Sequence, residues 1–157
     1  MYDLFNSGNF LFRTNIPELL DAKAIDALLD DRTRLIEHGG LLAGMWSFRS
    51  LDPHNWGISH FSGFYQLAYR LRDDLPITSW IEGYNAILGY LSSKNDVIRV
   101  AFPVLDFDEL GNRAAMSMGF TREGTIEETA EVGTRVRGTI VYSRTYSPDV
   151  YVRPHAA

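Results

Sequence analysis

Residues 64–120 hold a strand, a helix and a second strand in close succession, and that order leaves a chain few ways to fold. FYQLAYRL (64–71) alternates apolar and polar side chains, and VIRVAF (97–102) is a short, β-branched, mostly apolar run. Both read as strands. Between them, after the polar break RDDLPIT (72–78), lies SWIEGYNAILGYLSSK (79–94). The apolar residues Ile77, Ile81, Tyr84, Leu88 and Leu91 recur there every three or four positions, which predicts an amphipathic helix. A strand, a crossover helix and a strand predict two parallel strands joined by a right-handed connection.

The remaining segments can be placed around that unit. Residues 1–9 are polar and contain glycine, and read as a loosely held arm. NFLFRTNI (9–16) alternates as a first strand, and Pro17 opens a helix where its missing N–H costs nothing. That helix, PELLDAKAIDALLDDR, gathers Leu19, Leu20, Ala24, Ile25, Leu28 and Leu29 on one face. Arg34–His38 reads as a strand that turns at Gly39-Gly40 into LLAGMWSFRS. Residues 51–63 are a long loop, Asp108 is a helix N-cap, and FTREGTIEETAEVGTRVRGTIVYSRTY (120–146) is a long hairpin. The tail 147–157 reads as an extended arm. The expected whole is a single α/β domain over 1–157: a mixed, mostly antiparallel sheet of six to seven strands with three to four packed helices.

Composition bounds the function classes. A hydrophobic share of 45% argues for a packed core, and a net charge of −5 argues against a general nucleic-acid surface. No cysteine is present, so thiol nucleophiles and thiolate metal sites are excluded, and four scattered histidines make no metal cluster. No run approaches the roughly eighteen apolar residues of a membrane span. The N-terminus lacks the basic and apolar regions of a leader, so the expected setting is the cytoplasm.

The element order, with MGFTREGTI after a short helix and a final strand GTIVYSRTY, resembles the GNAT superfamily of acyl-CoA-dependent N-acyltransferases. At the level of motif the resemblance rests on Gly119, Phe120, Glu123 and Gly124. It implies acyl transfer from acyl-CoA, or another acyl carrier, to an amine. In the family a basic, glycine-rich loop and the following helix N-terminus hold the CoA diphosphate. The matching positions here are Arg70, Arg72, Ile77, Thr78, Ser79 and Trp80.

The residues depart from that pattern in two places. The loop Arg72-Asp73-Asp74-Leu75-Pro76 has no glycine, places two carboxylates where a diphosphate would sit, and loses an N–H at Pro76. Ser79 and Glu82 also fit a capping box that would occupy the helix's free N–H groups. The arginines read most simply as surface partners of Asp73 and Asp74. Where many family members carry a tyrosine that protonates the departing thiolate, this chain has Ala115. Candidate catalytic groups are therefore His60 in the 51–63 loop as a general base, Tyr142 lining the acceptor side, and Ser117 near the expected acid. The plainer reading of His60 is a solvent-facing loop residue, and of Ser117 a helix-surface serine.

Two functions lead at this level, ahead of a third, a binding module whose cleft holds an uncharged or cationic ligand suited to Asp73, Asp74 and Glu82. One is a divergent N-acyltransferase acting on a small amine. The other is a non-catalytic scaffold, of the kind used in viral and phage assembly, that binds protein partners through its terminal arms.

Overall fold

The computed structural model describes residues 1–6, 10–12, 20–51, 63–94, 96–132 and 135–146. Its elements are α1 (Tyr2–Phe5), α2 (Ala22–Leu28), β1 (Arg34–His38), β2 (Leu41–Ser50), β3 (Phe64–Leu71), α3 (Ile77–Lys94), β4 (Arg99–Leu105), α4 (Glu109–Ser117), β5 (Thr121–Val132) and β6 (Arg135–Thr145). The strands form one sheet in the order β1-β2-β3-β4-β6-β5. Every neighbouring pair is antiparallel except β3 and β4, which run parallel as the crossover requires. Gly39 and Gly40 both take positive φ, 60° and 78°, the geometry a two-residue hairpin turn needs. Gly119 closes α4 at φ 82°, and Phe120 behind it is buried.

Two apolar clusters cover the sheet. The larger places α3 and α4 over β3, β4 and β6, with Trp80, Tyr84, Ile87 and Leu91 as the buried stripe of α3. The expected stripe is displaced by this packing: Tyr84 and Leu91 are buried, while Ile77, Ile81 and Leu88 lie at its flank. Tyr69 sets the rotation. Its hydroxyl donates to the Trp80 carbonyl at 3.0 Å and approaches α3 at Gly83, where any Cβ would collide with it. The smaller cluster joins Leu4, Phe5, Phe10, Phe12 and Ile25 to Met45.

Three expectations are corrected, two of them at that smaller cluster. Residues 2–5 are no loose arm but a helical turn that buries Leu4 and Phe5. The α2 helix begins at Ala22, because the Asp21 carboxylate accepts from the Ala24 N–H at 2.8 Å and Asn6 grips the Leu20 backbone at both N–H and C=O. The start expected at Pro17 lies outside the described residues, as does most of the first strand, of which Phe12 makes a single bridge. At α3 the capping box is not formed either. The helix starts two residues earlier than expected, so Ser79 sits inside its first turn with its N–H on the Pro76 carbonyl.

Burial raises the Tyr69 and Tyr84 hydroxyls above their ordinary range, and the hydrogen bond between Tyr84 and Tyr146 raises Tyr84 further. The folded state thus holds protons that the unfolded chain releases near pH 10. Stability from this source is complete below that pH and is lost as the pH rises above it. We expect melting temperature to fall above about pH 10, and Tyr84→Phe to flatten the decline. An equal slope in the variant would show that Tyr84 is not the titrating group.

Candidate functional site

The parallel ladder between β3 and β4 is short. It pairs Phe64 with Arg99, Tyr65 with Val100 and Gln66 with Ala101, and then stops. Beyond it β3 stays with β2 and β4 stays with β6, so the two strands diverge. Pro103, which has no N–H to donate, stands just past the last pair. Pro103 inside β4 is the one feature of the sequence that could have marked this opening.

A cavity of about 280 Å³ occupies the divergence and reaches the start of α4. Its walls include Ser47, Gln66, Ala68 and Pro103, with Arg32 and Arg49 among the charged lining residues and Asp108 and Gly111 at the α4 end. Asp108 has two duties. One carboxylate oxygen caps α4 by accepting from the Gly111 N–H at 2.9 Å, and the other receives Arg70 Nη1 at 2.6 Å. Gly111 permits this, because a Cβ there would strike the Asp108 carboxylate.

Arg70 is the largest departure from expectation. Instead of lying on the surface it is 2% exposed, and its guanidinium reaches both Asp108 and, through Nη2 at 2.6 Å, Asp73. It also lies over the Trp80 ring, 5.3 Å from the centroid. An arginine clamped by two carboxylates and an indole is not available to swing toward an anion. Trp80 itself is fully buried, so it cannot contact a cofactor at the helix mouth. Its indole N–H has no acceptor among the described residues.

The other residues assigned by sequence separate in space. Arg72 is half-exposed and pairs bidentately with Asp74, at 3.0 and 2.7 Å. Ile77, Thr78 and Ser79 do form the first turn of α3, but the Leu75 N–H is spent on the Arg72 carbonyl and the Ser79 N–H on Pro76. Two acidic side chains, a proline and these committed donors do not fit a coenzyme A diphosphate in the family's pose. Tyr142 is buried away from the cavity wall, and its hydroxyl donates to Asn112 Oδ1 at 2.9 Å, tying β6 to α4. Asn112 in turn donates to the Leu105 and Asp108 carbonyls at 3.0 and 2.8 Å. Ser117 is exposed at the end of α4, and Ala115 is fully buried. His60 lies outside the described residues.

Glu123, part of the motif resemblance, serves the sheet. It accepts from Ser143 Oγ at 2.6 Å and pairs with Arg99. Sequence reasoning missed Arg32, Arg49 and the second role of Asp108. Only Asp108 carried a local signal, its capping position.

No protein-family model matches the chain, and no curated protein matches it in sequence. Solved structures do resemble it. An acetyltransferase of the GNAT family from Streptococcus pneumoniae superposes with a TM-score of 0.67 at 12% identity, covering 93% of this chain and 89% of that one. A ribosomal-protein-alanine N-acetyltransferase from Brucella melitensis gives 0.65 at 12% identity, with 92% and 89% covered. An acetyl transferase from Salmonella typhimurium, which modifies the N-terminal serine of a ribosomal protein, gives 0.58 at 19% identity. The match covers 73% of this chain and 63% of that one, less than two thirds of its length. No helix among the described residues is long and apolar enough to cross a membrane.

Proposed function

From a chain with the GNAT fold, divergent in sequence, we propose a divergent N-acyltransferase that acts on an amine seated between β3 and β4. The observation that carries this reading is the early end of the β3–β4 ladder, which opens a cavity of about 280 Å³ onto strand backbone no longer paired across the gap. Unpaired strand N–H groups there can polarise an acyl carbonyl under attack by the amine nitrogen. Loop 72–80 sets two carboxylates and a proline beside the first-turn N–H groups of Ile77 and Thr78 and so holds a diphosphate weakly, and the acyl donor is one that binds chiefly through its acyl-thioester end or through another carrier. Ala115 brings no proton to the departing thiolate, which takes, through water, the proton that the attacking amine loses.

A second reading, a scaffold that binds without catalysing, draws support from the Arg70 clamp, which ties the end of β3 to the start of α4 across the opening.

The two readings part on a single assay. The chain is given acetyl-CoA, or the acetyl thioester of N-acetylcysteamine, which lacks the diphosphate, with a panel of amines, and products are read by mass. Amide product is expected with both donors at kcat/KM values within about tenfold, because remote binding energy raises turnover only where it is realised. Acetyl-CoA alone should leave the melting temperature unchanged. A ligand seated at a hundred times its Kd would add about 2.7 kcal/mol and a shift of several degrees. Such a shift, or a thousandfold preference for acetyl-CoA, would refute the weak-diphosphate part. Absence of amide from every pairing would leave the scaffold.

A further inference from the structure

Building on the acceptor reading of the same cavity, we infer that its amine carries a carboxylate of its own, held at the rim by Arg32 and Arg49. The chain has a net charge of −5, yet among the described lining residues three arginines face two aspartates, an excess of one positive charge. A cleft of low dielectric concentrates that field, so the cavity attracts anions although the protein repels them. Arg70 is already committed to Asp108 and Asp73. The charge available to a ligand is therefore on Arg32 and Arg49. Arg32 is exposed on the turn between α2 and β1, where its own backbone N–H is held by Asp30 at 3.0 Å. Arg49 is exposed near the end of β2, opposite Gln66 of β3. Both line the cavity, and among the described residues neither guanidinium is paired with a carboxylate.

The deep end is close to neutral, because Asp108 and Arg70 face each other there. There the lining carboxylate is Asp108, 9% exposed. A ligand with its carboxylate outward at the arginines and only its small, neutral amine end inward matches both ends. The volume limits its size: about 280 Å³ is at the small end of ligand cavities, which run from roughly 300 to 1,000 Å³. A compact aminocarboxylate fits, and a folded or polymeric acceptor enters by no more than its end.

The test measures binding to the full chain with no acyl donor present, by thermal melting and tryptophan fluorescence. The probes are β-alanine, γ-aminobutyrate and para-aminobenzoate, each against its carboxylate-free counterpart: propylamine, butylamine and aniline. At least one aminocarboxylate should bind where its counterpart does not. Arg32→Ala and Arg49→Ala should each weaken that binding about tenfold, the worth of one charge-assisted hydrogen bond at a partly wet site. Arg49→Lys should weaken it less, because the charge is retained. Equal binding of the plain amine, unchanged affinity in both alanine variants, or no binding by any aminocarboxylate would overturn the inference. Acyl transfer plays no part in these readouts, so a chain that binds aminocarboxylates without transferring acyl groups would refute the catalytic proposal and leave this one standing.

Discussion

Replacing Arg70 by leucine should destabilise the protein by about 3–5 kcal/mol, the cost of stranding a buried charge after its partner is removed. Asp108 is the group stranded. It lies at the α4 N-terminus, 9% exposed, with one oxygen on the Gly111 N–H and the other on Arg70. Asp73 has an exposed side and can turn to water, so it contributes little to the loss. For a chain of this size the change corresponds to a fall in melting temperature of about ten degrees or more. Adding Asp108→Asn to the leucine variant should restore part of the loss. An asparagine still caps the helix, and the unpaired charge is gone. A leucine variant melting within a degree or two of the parent would mean that the guanidinium is not enclosed by the two carboxylates. Failure of the second substitution to help would place the cost in lost packing against Trp80 instead.

Gly44→Ala should cost about 3 kcal/mol, at the upper end for overpacking a well-filled site. Gly44 pairs with Leu71 where β2 and β3 run beside each other at the mouth of the opening. An added Cβ would collide with the Arg70 carbonyl oxygen and lie 2.8 Å from Leu71 Cδ2 and 2.9 Å from Leu71 Cα. Two of these three atoms are backbone, so no side-chain rotation relieves the contact. The strand must move, and Arg70 moves with it. Gly89→Ala is the contrasting variant: its Cβ would meet nothing within 4 Å on an exposed helix position, and alanine there should stabilise by up to about 1 kcal/mol. Comparing the two melting curves checks both claims. A neutral Gly44→Ala would show that the two strands are less closely apposed.

The local elements were legible because local chemistry decides them. Gly39-Gly40 specifies its turn by backbone freedom, Asp108 its helix start by a side-chain acceptor, and Gly119 its helix end by a left-handed φ. The rotation of α3 was not legible. Stripes at 77-81-84-88-91 and 80-84-87-91 both satisfy helical periodicity, and the choice fell to Tyr69, whose hydroxyl demands the bare backbone of Gly83. Arg70 was misread for a related reason. In FYQLAYRL it takes a polar position beside Asp73, and its buried partner Asp108 lies 38 residues away.

Periodicity, turn chemistry and capping act within a few residues, and they determined the strands, the crossover and through them the GNAT fold. The candidate site is made by contacts across the sheet: where two parallel strands part, which carboxylate meets Arg70, and which arginines border the cavity. Those contacts depend on the relative placement of elements far apart in the chain. Only the tertiary structure could decide them, because an arginine's solvation is set by what packs against it and not by its neighbours in sequence.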